Sequence, residues 1–180
     1  MDIYYRNQYI LVQKFSTKSE LEEYVRKYKY SIITESASGY DNTYEVISLS
    51  EERDFCVAIM YNWQGVEANS IIIPSLEQLI ISFECDIVWV DLENKRILGQ
   101  DILPLPIYTI KFLEKEKILV VIYEMGISVY DKQANNLWEM GTSDIIVDFS
   151  INEENISVES MDGNKVIFNT LNGPKNRDVL

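Results

Sequence analysis

The stretch that decides the fold is Leu119–Asp131, with the sequence LVVIYEMGISVYD. Two apolar runs rich in β-branched and aromatic residues flank the short turn Glu124-Met125-Gly126, which is the pattern of a β-hairpin. The same pattern occurs at Leu79–Asp91 (LIISFECDIVWVD) and at Ile156–Asn169 (ISVESMDGNKVIFN). The chain is therefore predicted to contain three copies of one hairpin repeat.

Each hairpin repeat ends in a residue whose side chain readily forms an Asx-turn, namely Asp91, Asp131 or Asn169. Their spacing of about 40 residues is that of four-stranded propeller blades. A further β-like run precedes each repeat, at 71–73, 107–112 and 145–150. In the third repeat, Asp162-Gly163 predicts a type I′ turn, because both central residues of that turn need positive φ.

The pattern of strand, strand, Asp, polar turn and strand resembles a β-propeller blade, without the Gly-His and Trp-Asp pairs of WD40 repeats. Closed propellers need about four blades or more, and three repeats are visible here. The resemblance implies an antiparallel meander of blade-like hairpins, arranged as an open or partial propeller whose ends are covered by the N-terminal part.

The N-terminal part carries the clearest helix signal. Thr17-Lys18-Ser19-Glu20 matches a capping box. Apolar residues then follow at the i, i+3, i+4, i+7 spacing of one helical face: Leu21, Tyr24, Val25 and Tyr28. We expect a helix at about 18–29 whose tyrosine-rich stripe packs against a sheet. The β-like runs around it are 2–5, 9–15, 30–34, 44–49 and 55–61.

The predicted fold class is mainly β with one N-terminal helix, an α+β arrangement. A chain of 180 residues is expected to form one domain. Within it we distinguish an N-terminal α+β part over 1–74, the three-repeat meander over 75–173, and a polar, flexible tail over 174–180.

The chain start has no signal-peptide pattern, and no apolar run reaches the roughly 18 residues of a membrane span. A cytoplasmic protein without membrane contact is therefore expected. In that compartment Cys56 and Cys85 are expected to be reduced thiols.

The chain contains no histidine. This removes Ser-His-Asp and Cys-His arrangements and imidazole metal ligands, and two cysteines cannot complete a four-ligand zinc site. No phosphate-loop, dinucleotide or EF-hand motif occurs. We therefore expect neither enzymatic activity nor a cofactor. A hydrolase with paired carboxylates, such as Glu84 and Glu124, stays open as an alternative.

Charge points to the class of partner. The net charge of −13 and the pI of about 4.4 repel nucleic acid and favour a basic protein. In a meander, hairpin turns and the connectors between repeats share one edge. On that edge seven acids face a single base, Lys165, whereas charges nearly cancel on the opposite edge.

The predicted docking surface adds two tryptophans to these acids. It consists of Glu84, Asp86, Asp101, Glu124, Glu139, Asp144, Asp162, Trp63 and Trp138. Two alternatives stay open: the charge serves solubility alone, and Trp63 is a partly buried loop aromatic rather than an exposed anchor.

In size, acidity, β-rich composition and lack of catalytic residues, the chain resembles the immunity proteins of bacterial polymorphic-toxin and contact-dependent growth inhibition systems. The resemblance rests on overall character and transfers no site residue. It implies an inhibitor that occludes the active site of a toxin domain, often a basic nuclease. The alternative is a propeller-like scaffold or sensor module that binds a peptide or a folded protein.

Overall fold

The computed structural model describes residues 4–5, 8–39, 41–49, 53–63 and 65–173. The chain divides into two compact units, Met1–Pro104 and Leu105–Leu180, called here the N-terminal and C-terminal units. The division falls after the first hairpin repeat rather than near residue 74, because the sheet of that repeat shares a core with the N-terminal sheet. The predicted tail lies outside the described residues.

The N-terminal unit begins with a short antiparallel pair and a mixed four-stranded sheet. The pair is β1 (Tyr4–Tyr5) with β2 (Gln8–Tyr9), and the sheet has the order β3 (Leu11–Phe15), β5 (Thr43–Ser48), β6 (Phe55–Tyr61) and β4 (Tyr30–Glu35). β4 runs parallel to β6, and the other neighbours are antiparallel. The strands predicted over 30–34, 44–49 and 55–61 are confirmed.

Helix α1 (Lys18–Val25) connects β3 to β4. The predicted capping box is present: the Thr17 hydroxyl accepts the Glu20 N–H at 3.2 Å, and the Glu20 carboxylate accepts the Thr17 N–H at 3.2 Å. These bonds satisfy amides that have no partner within the helix. Leu21 and Val25 are buried against β5 and β6, so the predicted stripe does pack on a sheet.

The helix ends at Val25, four residues before its predicted end near 29. The Tyr28 N–H donates to the Val25 carbonyl at 3.0 Å, which is a tighter turn than an α-helix makes. The Lys29 N–H then donates to the Arg53 carbonyl at 3.0 Å, and the chain enters β4. Pairing with the start of β6 therefore takes over where the apolar periodicity alone predicted more helix.

The first hairpin repeat forms a four-stranded antiparallel sheet in the N-terminal unit. Its order is β10 (Arg96–Ile102), β9 (Asp86–Asp91), β8 (Gln78–Phe83) and β7 (Asn69–Ile73), with a 3-10 turn at Pro74–Leu76 between β7 and β8. One face of this sheet packs on the N-terminal sheet, where Leu79 and Val88 share a core with Val57 and Ile59.

The C-terminal unit contains the other two repeats. The first of its sheets has the order β11 (Ile107–Leu113), β12 (Ile118–Tyr123), β13 (Gly126–Asp131) and β14 (Asn136–Gly141), and the second has the order β15 (Ile146–Ile151), β16 (Asn155–Ser160) and β17 (Lys165–Asn169). Val120 and Val129 share a core with Ile156 and Phe168. The predicted fold class is confirmed as mainly β, with one N-terminal helix and blade-like antiparallel hairpins.

The last sheet differs from the other two in how its central strand is buried. Every residue of β8 and β12 is buried, whereas in β16 buried residues alternate with half-buried ones. The sequences explain this, since β12 is apolar throughout and β16 alternates apolar with polar residues. The last sheet therefore buries one face of β16, and its outer strands leave apolar side chains exposed, among them Val147 and Ile167.

All three predicted Asx-turns are confirmed. The side chains of Asp91, Asp131 and Asn169 each accept two backbone N–H groups from the turn that follows. The donors are Glu93 and Asn94, Gln133 and Asn135, and Leu171 and Asn172. A side-chain Oδ1 acceptor, from Asp or Asn, thus fixes the end of the hairpin in each repeat.

The predicted type I′ turn at Asp162-Gly163 is wrong. Only Gly163 of the two has a positive φ, 84°. Its N–H donates to the Ser160 carbonyl at 2.8 Å, and the Ser160 N–H donates to the Asn164 carbonyl at 2.9 Å. This is a type I turn closed by a glycine bulge. The Asp162 carboxylate accepts the Asn164 N–H at 3.1 Å, which favours this longer loop.

Cys56 and Cys85 are both free, as predicted, and burial raises the pKa of the Cys56 thiol to about 12. Within the described ranges, no helix has the length and apolar character needed to cross a membrane.

The Asx-turns give a stability prediction. Asp131→Ala should lower the free energy of unfolding by about 1 kcal/mol, because two amides lose their acceptor. Asp131→Asn should cost less, since Asn169 makes the same contacts in the third repeat. Urea unfolding of both variants measures the difference, and equal losses would show that the acceptor oxygen is unimportant.

The pH dependence of the Asp131→Ala effect follows from the same contacts. Burial alone would raise the pKa of Asp131, but hydrogen bonds from Asn135 and Gln133 outweigh it and lower the pKa. The stabilisation is thus present above the unfolded pKa of about 3.9 and is lost as the pH falls through the folded value. The two proteins should converge in stability in acid.

Candidate binding surfaces

Hairpin turns and connectors lie side by side within each unit, as the meander predicts. In the N-terminal unit the Leu103 N–H donates to the Cys85 carbonyl at 2.8 Å. In the C-terminal unit the Ile146 N–H donates to the Glu124 carbonyl, and the Met161 N–H to the Ile145 carbonyl, both at 2.8 Å. Backbone hydrogen bonds therefore hold these turns to one edge of their sheets.

Glu84 and Asp86 do not belong to an exposed rim, and their predicted placement on a docking surface is wrong. Their residues are 7% and 0% exposed. The Ser36 Oγ lies 2.5 Å from Glu84 Oε2 and 3.2 Å from Asp86 Oδ2, and the Ala37 N–H donates to Asp86 at 3.1 Å. The Ser38 hydroxyl adds a bond to Glu84 at 3.1 Å. Both acids thus anchor the 36–39 loop.

Asp86 is an ionisable group in a buried environment that disfavours its charged form. Burial is the largest influence and raises its pKa, against hydrogen bonds from Ala37, Ser36 and Gln100 that favour the carboxylate. Without these donors the charge would be more costly still. The contact between Ser36 and Asp86 could not be predicted from the sequence, because the serine lies 50 residues before Asp86.

Four of the predicted acids do meet on the edge of the C-terminal unit. Glu139 and Asp162 are exposed, and Glu124 and Asp144 are half-buried. Glu139 accepts the Tyr123 hydroxyl at 2.8 Å, and Asp162 accepts the Ser143 hydroxyl at 2.7 Å. Neutral donors thus position two of these acids without removing their charge.

None of these four acids forms an ion pair with another described residue. Lys165, the base predicted for this edge, pairs with Glu159 at 3.5 Å. The neighbouring residues add an exposed carboxylate at Asp148 and two exposed apolar side chains, Val147 (56%) and Met161 (63%). The acidic edge is defined here as Glu124, Glu139, Asp144, Asp148 and Asp162 with Val147 and Met161.

The remaining predicted residues lie apart from the acidic edge. Asp101 is half-buried in β10 of the N-terminal unit, and its carboxylate accepts the Ile102 N–H at 2.8 Å. Trp63, in the same unit, is 53% exposed. The Trp63 side chain is therefore exposed, and its role as an anchor for a partner stays a prediction.

Trp138 is a packing residue, and its predicted role as an exposed anchor is wrong. Its ring lies 6.1 Å from that of Phe168, and its indole N–H donates to the Thr170 carbonyl at 3.1 Å. Gly173, at a φ of 63°, approaches so closely that an added Cβ would lie 2.8 Å from the indole. Trp138 therefore joins β14 to the last sheet.

The described part of the chain holds no cluster of three or more metal-ligating side chains. Glu84 and Glu124, the acids considered for a hydrolase, belong to different compact units, and serine hydroxyls hold Glu84.

No protein-family model matches the sequence, and no curated protein matches it. Several solved structures are similar in backbone. Kluyveromyces lactis Hsv2 is 16% identical with a TM-score of 0.36, over 54% of this chain and 31% of that chain. Kluyveromyces marxianus Hsv2 is 11% identical with a TM-score of 0.38, over 58% and 35%. The computationally designed Ika4 protein is 14% identical with a TM-score of 0.49, over 65% and 76%. The chain spans about a third of the Hsv2 structures that it matches.

The buried acids give a second prediction. Ser36→Ala should lower the free energy of unfolding by about 2 kcal/mol at neutral pH, because buried carboxylates lose a donor. Ser38→Ala is the matched control and should lower the free energy of unfolding by less. Ser38 is exposed, and of the two buried acids it contacts only Glu84.

The cost of Ser36→Ala should fade in acid. The folded pKa of Asp86 already lies above its unfolded value, and removing a donor raises it further. The charge-dependent loss is then absent below the folded pKa of Asp86 in the wild type and complete above the higher folded pKa of Asp86 in the variant, because the unfolded pKa is the same in both proteins. Chemical unfolding at both extremes measures it, and a pH-independent loss would contradict the account.

Proposed function

We propose that this chain is a non-catalytic protein-interaction module that docks a basic protein on the acidic edge of its C-terminal unit. The observation that carries the proposal is the set of four acids there that have no ion-pair partner among the described residues. Like charges held together on a rigid sheet repel one another. A basic partner relieves that repulsion and gains from every contact.

The apolar side chains on the acidic edge supply what charge alone does not. Exposed charges speed association and are screened by salt, whereas apolar burial contributes about 25 cal/mol per Å² at any ionic strength. Met161 is exposed, and an unbranched methionine side chain adapts its shape to varied partner surfaces. The acidic edge can thus attract a basic protein and then retain it.

A narrower form of the proposal makes the partner a toxin domain, as the resemblance to bacterial immunity proteins implies. The acidic edge supports this form, because its carboxylates can occupy the active-site groove of a basic nuclease, which otherwise attracts the phosphates of a nucleic acid. The broader form is a scaffold that binds several proteins. One stoichiometric basic partner whose toxicity the chain suppresses would favour the inhibitor, and several partners would favour the scaffold.

The acidic edge gives a third prediction. Changing Glu124, Glu139, Asp148 and Asp162 together to their amides should weaken binding of a basic partner by about tenfold or more at low salt, and less at high salt. Amides keep the acceptor oxygens used by Tyr123 and Ser143, so thermal unfolding should change little. Titration calorimetry at two salt concentrations measures the effect.

The matched control removes the same charge from the opposite edge of the same unit. It changes Glu114, Glu116, Glu153 and Glu154 to glutamine, and two of these acids already pair with lysines at 2.6 and 3.3 Å. Its affinity should stay within about twofold of the wild type. Equal losses in the two variants would mean that net charge, and not the acidic edge, governs binding.

A further inference from the structure

Helix α1 and strand β4 enclose a cleft of about 280 Å³ in the N-terminal unit. Val25, Tyr28 and Ile33 provide apolar surface, and Glu22, Arg26 and Ser31 complete the lining. Val25 and Tyr28 are nearly buried, whereas Ile33 is 48% exposed. β4 is the last strand on this side of its sheet in the described structure, so the cleft runs along an open sheet edge.

The backbone of β4 presents hydrogen-bonding groups to this edge. The Tyr30 N–H donates to the Asp54 carbonyl at 3.0 Å, and the Ser36 N–H donates to the Met60 carbonyl at 2.8 Å. Because alternate residues of a parallel strand bond to one neighbour, the even-numbered residues of β4 face β6. Ser31 and Ile33 therefore direct their backbone N–H and C=O groups away from the sheet.

The side chains of the same residues face the helix. Glu35, two residues after Ile33, pairs with Lys18 of α1 at 2.6 Å, whereas Ile32 packs in the core on the other face. Ser31 and Ile33 thus offer both backbone groups at the edge and side chains in the cleft. A strand added beside β4 would place every second side chain against the same apolar surface.

The charge around the start of β4 opposes that of the chain as a whole. Arg26, Lys27 and Lys29 lie there, and none of them pairs with an acid within 4.0 Å among the described residues. Lys29 and Lys95 lie over the Tyr30 ring at 5.1 and 4.3 Å, on the face of β4 opposite the cleft, so Arg26 is the base that lines the cleft itself. In a chain of net charge −13, the Arg26 end of the cleft therefore favours an anion, whereas Glu22 in the same lining does not.

We propose that the cleft binds an extended peptide of another protein, which adds to β4 as a fifth strand. Its apolar side chain enters the space beside Val25, Tyr28 and Ile33, and its acidic group, a side chain or a terminal carboxylate, lies near Arg26. The site is separate from the acidic edge, which belongs to the other compact unit and attracts the opposite charge. It does not depend on the function proposed above.

A random octapeptide display library, selected on the intact wild-type chain, provides the probe. Selection should enrich peptides with alternating apolar residues and an acid at one end. For a synthetic version of an enriched peptide, fluorescence polarisation should show that Ile33→Glu binds at least tenfold more weakly than the wild type. The substitution places a negative charge in the cleft, which repels the acidic peptide. Arg26→Glu should weaken binding of the same peptide. A peptide in which the acidic residue is changed to lysine should bind the Arg26→Glu variant again.

Two further variants separate strand addition from simple surface contact. Ser31→Pro removes an outward N–H that the sheet does not use, and should also weaken binding at least tenfold, with folding checked by circular dichroism. Ile97→Glu is the matched control, since Ile97 is 41% exposed on β10 of the same unit, and should change affinity by less than twofold.

Several results would overturn the proposal. They are a library that yields no binder, peptides that bind Ile33→Glu as well as the wild type, and basic peptides that lose binding only when the acidic edge is neutralised. A concentration-dependent dimer that Ile33→Glu abolishes in sedimentation experiments would identify a second copy of the chain as the occupant and would equally reject a peptide partner.

Discussion

The fold of the N-terminal unit depends on covering a sheet whose central strands are apolar on both faces. Every residue of β8 is buried, and β9 is buried up to its last residue. Burying one large apolar side chain stabilises a fold by about 1.5–3 kcal/mol, so leaving either face in water would be prohibitive. The N-terminal sheet covers one of these faces with Val57, Ile59 and Tyr61 of β6. The N-terminal sheet is therefore a structural requirement for the first hairpin repeat.

Local patterns in the sequence predicted local structure well. The capping box at Thr17, the hairpins and the Asx-turns at Asp91, Asp131 and Asn169 are all present, because each depends on residues a few positions apart. Prediction failed where a distant segment decides the environment. From the sequence, Glu84 and Asp86 were predicted to be solvated acids in a turn, whereas in the structure the 36–39 loop donates hydrogen bonds to both. Trp138 was predicted to be exposed, whereas it packs on Phe168 of β17.

The same distinction separates the parts of the candidate docking surface. Placement of turns and connectors on a common edge follows from the alternation of a meander, so Glu124, Glu139, Asp144 and Asp162 could be grouped from the sequence. The apolar residues Val147 and Met161 could not be assigned to this surface from the sequence, because the alternation of turns in a meander does not show which side chains are exposed. The cleft beside β4 was also hidden, because it needs the parallel pairing of β4 with β6 that the sequence does not show.

The two surfaces differ in charge and in the kind of contact that they offer. The acidic edge presents side chains on turns that backbone hydrogen bonds hold in place, which suits a folded basic protein. The cleft presents backbone groups and an apolar floor, which suits an extended segment.

The most direct test of the central claim is amide hydrogen exchange of the chain with and without a bound basic partner. The account predicts slower exchange at 124–126, 142–148 and 161–164, with no change in the turns at 114–117 and 152–155 of the opposite edge. Protection confined to the opposite edge, or spread evenly over the C-terminal unit, would contradict it.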